Sequence, residues 1–81
     1  MRPDRLVSMA NDIGAFFNGD SDKAAAARGV ATHVRRFWDP RMRREIVAHL
    51  ARGGAGLEEP ARTGIKLLAE EDPVVTSRSS S

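Results

Sequence analysis

The 81-residue chain has no cysteine, no tyrosine and a single tryptophan. Without cysteine there is no disulfide framework, no thiolate metal site and no cysteine nucleophile. No apolar run approaches the ~20 residues that a membrane-spanning helix needs. The opening Met1-Arg2-Pro3-Asp4-Arg5 lacks the apolar core of a signal peptide, so a cytoplasmic location is expected. Period-two alternation is also missing, and no strand is needed to explain the pattern. The strongly apolar residues number 21. That is enough for one domain with one small core, and support from a partner or from self-association would suit a core of this size.

What is present in excess is arginine: 11 of the 13 basic residues. The net charge of +2 hides an asymmetry, because residues 28–52 sum to +5, residues 1–27 to −1 and residues 53–81 to −2. A basic middle between acidic flanks points to an acidic partner surface or to nucleic acid. A solvated arginine face, or the codon bias of a GC-rich genome, accounts for the same numbers without any partner.

Apolar residues recur with the helical period in four places. The first helix is read from Asp4 to Phe17, with Leu6, Met9, Ala10, Ile13, Phe16 and Phe17 on its stripe, and Asn18-Gly19-Asp20 stops it through a left-handed glycine. The second starts at Asp20 or Ser21 and reaches Trp38, burying Ala27, Val30, Ala31, Val34, Phe37 and Trp38. The third runs from Pro40 to about Arg52 with Met42, Ile46, Leu50 and part of His49 inward, and Gly53-Gly54-Ala55-Gly56 ends it. The fourth spans Glu59 to Glu70, with Ala61, Ile65 and Leu68 inward and Leu57 preceding it. Short links favour packed neighbours. The expected fold is all-α: a small bundle of three main helices plus a shorter fourth over residues 1–71, with Asp72–Ser81 as a disordered tail. Gly14 borders an apolar stripe and allows close helix approach, whereas Gly29 has no explanation at this level.

Candidate catalytic groups are few. His33 and His49 share no helical face and have no carboxylate at metal-site spacing, so each is expected at the edge of the core. Ser8, Ser21, Thr32 and Thr63 lack a supporting motif for a nucleophile. Glu58-Glu59 suits a helix N-terminus, and Glu70-Glu71-Asp72 reads as solvated. The glycines at 53, 54 and 56 follow a helix and not a strand, which excludes a phosphate loop. No catalytic residue, metal ligand or cofactor of its own is assigned to the chain.

The most distinctive stretch is His33-Val-Arg-Arg-Phe-Trp-Asp-Pro-Arg-Met-Arg-Arg-Glu-Ile-Val-Ala-His-Leu50. Asp39 caps the third helix and Pro40 takes its first position, where a missing N–H costs nothing. Arg41, Arg43 and Arg44 then oppose the positive end of the macrodipole, at ~0.3–1 kcal/mol each when exposed. A local rule broken three times marks a candidate functional surface. Arg35, Arg36, Trp38, Arg41, Arg43 and Arg44 form the expected partner-binding set, with guanidinium groups pairing carboxylates and Trp38 as a mostly buried anchor beside Arg43. The bland reading has the same arginines solvated and paired within the chain to Glu45 and Asp39. A small basic helical nucleic-acid-binding module is the alternative, although the Asp39-Pro40 corner is shorter than the turn of a helix-turn-helix. An anion such as a cofactor pyrophosphate at the start of the third helix is a weaker reading, because the Asp39 carboxylate already fills that role.

This stretch resembles the delta subunit of soluble, NAD-dependent, molybdenum-containing formate dehydrogenases. The likeness extends upstream through Met9-Ala10-Asn11-Asp12-Ile13-Gly14-Ala15-Phe16-Phe17 and downstream through Gly53-Gly54-Ala55-Gly56-Leu57, covering roughly residues 6–68. Where an Asp-Pro step would follow Leu57, this chain has Glu58-Glu59-Pro60. The resemblance implies a non-catalytic accessory subunit or assembly factor. Its larger partner subunits would hold the bis-molybdopterin guanine dinucleotide, iron–sulfur clusters and flavin. On that reading the chain supports holoenzyme stability or molybdenum-cofactor loading through protein–protein contacts, with the molybdenum-containing catalytic subunit as the expected partner. Lacking cysteine ligands, it would take no direct part in electron transfer. No membrane contact is expected, and the resemblance leaves homo-oligomer formation open.

Overall fold

The computed structural model describes residues 3–19 and 22–71. Four helices follow in chain order: α1 (Pro3–Phe17), α2 (Lys23–Phe37), α3 (Pro40–Ala51) and α4 (Glu59–Glu71). No strand occurs among the described residues. At 13 residues α4 is shorter than α1 and α2 and one residue longer than α3. Asp20, Ser21 and the tail expected at 72–81 lie outside the described residues.

Local chemistry sets most of the helix ends. Asp22 caps α2 by accepting from the backbone N–H groups of Ala24 and Ala25 at 3.0 and 3.3 Å, so the helix begins at Lys23 and not at Asp20 or Ser21. Gly19 does not adopt the left-handed conformation expected of it. The end of α1 is closed instead by a short turn in which Asn18 N–H donates to the Ala15 carbonyl at 3.2 Å. The end of α3 does use left-handed glycine: with Gly53 at φ 117°, Gly53 N–H reaches the Leu50 carbonyl and Gly54 N–H reaches that of His49. This is the paired closure of a Schellman motif.

The core is a single cluster built around α4. Leu6, Val7 and Ala10 from α1 meet Val30, Ala31 and Val34 from α2, Ile46 from α3, and Ala61, Ile65 and Leu68 from α4. Leu57 and Trp38 close it from the two connections. α2 and α4 form the most extensive pair, while α3 lies mainly against α4 and α1. Small residues make this possible. A Cβ on Gly64 would stand 2.5 Å from the Val30 Cβ, and one on Gly14 would stand 3.0 Å from the Ala61 backbone nitrogen. The expectation that Gly14 permits close approach therefore holds.

Two stripe assignments fail. Phe16 is 81% exposed and Phe37 71% exposed, although both were expected inside. Consecutive helical residues point about 100° apart, and at the end of α1 it is the direction of Phe17 that meets a neighbouring helix, at Gly29 of α2. Phe17 takes the inward position and packs against the cluster. Phe37 is turned outward, while Trp38 leaves the helix with extended backbone (φ −92°, ψ 141°) and swings into the core, where it is 5% exposed.

Candidate partner-binding surface

The α2–α3 corner is held from within by three groups. Asp39 Oδ1 accepts from Met42 N–H at 2.9 Å, which makes Asp39 the cap of α3 with Pro40 at the helix start. That carboxylate occupies the one place where α3 would otherwise receive an anion. Trp38 seals the corner against the core cluster. Arg43 reaches back across the corner, its Nη1 donating to the Arg35 carbonyl at 2.9 Å. It thereby satisfies an acceptor in the last turn of α2, where helical carbonyls have no intrahelical partner.

The six residues expected to bind a partner are thus divided by the fold. Trp38 and Arg43 build the corner, and Arg35 turns toward α4, where its Nη1 lies 3.4 Å from Glu71 Oε1. That pair is about half exposed and contributes no more than ~1 kcal/mol. Arg41 lies 3.9 Å from Glu45 one turn along α3, an exposed pairing of the same modest worth. Arg44 is exposed. Arg36 is exposed too, but it lies beside Phe37 on a different face, lining an open hollow between α1 and α2. Of the intrachain partners expected for these arginines, Glu45 is used as an ion-pair acceptor and Asp39 as a helix cap.

Long-range polar contacts at the opposite connection could not be read from spacing. Asn11 on α1 donates from Nδ2 to the Gly56 carbonyl and accepts the Glu58 N–H on Oδ1, both at 2.9 Å. Arg62 on α4 donates from Nη1 and Nη2 to the carbonyls of Gly53 and Gly54 at 3.3 and 3.0 Å. His49 lies at the edge of the core, as expected, with Nε2 2.8 Å from the Ala55 carbonyl; donation there requires the Nε2–H tautomer. Three side chains from three helices thus hold residues 53–58. Asn11 carried a signal only through the Asn11-Asp12-Ile13-Gly14 stretch of the resemblance, and Arg62 carried none.

No cluster of three or more His, Asp or Glu suited to a metal ion occurs among the described residues. No helix among them is long and apolar enough to cross a membrane. His33 is half-buried, its ring centroid 4.7 Å from that of Phe37, and the hollow that it lines with Thr32 holds no carboxylate.

No curated protein and no solved structure matches the chain. A family model described as the NADH-dependent formate dehydrogenase delta subunit matches residues 5–65. The matched span contains Asn11, the whole Trp38–Arg44 corner and the loop that Asn11 clasps. It stops within α4, just after Gly64. By this match the chain belongs to the NADH-dependent formate dehydrogenase delta subunit family.

Proposed function

We propose that the chain is a non-catalytic accessory subunit or assembly factor of a cytoplasmic NAD-dependent formate dehydrogenase. In this reading it supports holoenzyme stability or molybdenum-cofactor loading through contacts with the larger subunits, first of all the molybdenum-containing one. The observation that carries it is the family match across nearly all of the helical unit. The character of the surface supports it as well: exposed guanidinium groups on a small rigid scaffold, with the described histidines occupied in packing. Arg36, Arg41 and Arg44 are the outward members of the basic set and would meet carboxylates of the partner. Arg35, Arg43 and Trp38 act from behind, fixing the corner that displays them. The nucleic-acid alternative gains nothing from this division, because three of the five corner arginines have acceptors within the chain.

The test is to produce the catalytic subunit with and without this protein and compare association and molybdenum content. Association should survive moderate purification and metal loading should fall when the protein is left out. The Arg41→Glu, Arg44→Glu double variant should keep its helicity and lose much of its association. If the wild-type chain neither co-purifies nor changes metal content and activity, the accessory role is wrong. Tight binding to duplex or single-stranded nucleic acid, weakening steeply with salt, would put the alternative in its place.

A further inference from the structure

Among the described residues the large exposed apolar side chains are Phe16, near the end of α1, and Phe37, at the end of α2. Phe16 meets Phe17 edge to face with ring centroids 5.1 Å apart, and Phe37 lies against the His33 ring. Between Phe17 and Phe37 lies an open hollow of about 480 Å³. Its floor exists because residue 29 is glycine: a Cβ there would stand 2.6 Å from the Phe17 ring. Arg28 and Arg36 rim the hollow and no carboxylate lines it. A lone exposed aromatic is common on a folded surface, but here the Phe37 ring borders a concavity rimmed by arginines, and aromatic and Arg side chains together are enriched where partners bind.

We propose that this hollow receives an acidic segment of a partner polypeptide, one apolar side chain entering between Phe17 and Phe37 and flanking carboxylates pairing with Arg28 and Arg36. The inference rests on the accessory role proposed above and adds a second contact surface, separate from Arg41 and Arg44. Charge selects the occupant. A second copy docking through the same face would bring the Arg28 and Arg36 rims of both copies together, because a two-fold interface pairs a patch with itself. A partner carrying Asp or Glu beside an apolar residue meets no such repulsion and gains charge-assisted hydrogen bonds.

The test uses the full chain co-produced with the formate dehydrogenase subunits. Phe37→Ser and the Arg28→Glu, Arg36→Glu double variant should each remain helical by circular dichroism and weaken association by about tenfold or more, as removal of a buried aromatic or Arg anchor does. Phe37→Trp should retain it. A photo-crosslinking amino acid at position 37 should label a segment of a larger subunit that carries Asp or Glu. If wild-type association is intact and neither variant weakens it, the hollow is not a docking site, whatever Arg41 and Arg44 do. If Phe37→Ser abolishes a dimer of the isolated chain, or the crosslink joins two copies, the occupant is a second copy and the proposal is overturned. If no wild-type association exists at all, the accessory role falls first and this inference falls with it.

Discussion

The loop between α3 and α4 and the outer face of α1 and α2 differ in where their contacts lead. In the loop, three side chains from separate helices turn inward onto backbone groups of residues 53–58, and Leu57 is buried beneath. On the outer face, Phe37 stands in solvent at the edge of a hollow rimmed by arginines, and Phe16 is exposed beside Phe17. Both regions hold residues that usually draw attention, namely glycine, histidine and arginine. What separates them is satisfaction: the loop's backbone acceptors have partners inside the chain, while the outer face keeps apolar area that folding does not cover. A region of the first kind positions others, and a region of the second kind has something left to bind.

The sharpest way to break this contrast lies at its boundary, where Phe37 and Trp38 are neighbours with opposite surroundings. Trp38→Ala should cost ~3–5 kcal/mol and leave a chain of this size largely unfolded. Phe37→Ala should change stability by well under ~1 kcal/mol, since little area is lost from the core. Chemical denaturation of the two variants measures the difference directly. Comparable losses would mean that the outer face belongs to the core after all.

A smaller effect is expected inside the loop. Asn11→Ala removes two hydrogen bonds at the rim of the fold, leaving the Gly56 carbonyl and the Glu58 N–H to find water. The cost should be ~1–2 kcal/mol, toward the low end of what unpaired polar groups cost because both can be resolvated. Amide exchange at Glu58 should accelerate while that of the α2 core stays as it was. Unchanged protection at Glu58 would show that the clasp is incidental to the loop's order.

The smallest effect sharpens the other side. Gly29→Ala brings a Cβ within 2.6 Å of the Phe17 ring, so the ring must swing. Better helix propensity returns ~1 kcal/mol, and the net change should lie within about 1 kcal/mol of zero. Loss of more than ~2 kcal/mol in a thermal or denaturant melt would mean Phe17 cannot move, making the outer face as rigid as the loop.

Much of the architecture was legible because helical periodicity is a local signal. Asp39 and Pro40 announced the start of α3, Gly53 and Gly54 its end, and Ala61, Ile65 and Leu68 the inner side of α4. The errors fell where two adjacent aromatics competed for one direction, at Phe16-Phe17 and Phe37-Trp38. There the choice depends on what lies opposite, and for Trp38 on a change of backbone conformation after the helix has ended. Gly29 and Gly64 were opaque for a related reason. Each is small because of one partner atom group on another helix, Phe17 for the first and Val30 for the second. The basic corner was visible as composition, but composition does not reveal that Arg43 and Arg35 turn to acceptors within the chain and leave Arg36, Arg41 and Arg44 facing outward.

The Asn11 clasp also imposes an order in time. Its two acceptor and donor groups lie 45 and 47 residues further along the chain. During synthesis α1, α2 and α3 are all made before residue 58 exists, and the helix that forms the centre of the core comes after it. The first three helices can form locally, but closure of so long a segment waits on the last one. A nascent chain of this protein therefore holds Leu6, Val30 and Ile46 without their α4 partners until α4 has been made. Assembly of the core then waits on the arrival of Ala61, Ile65 and Leu68.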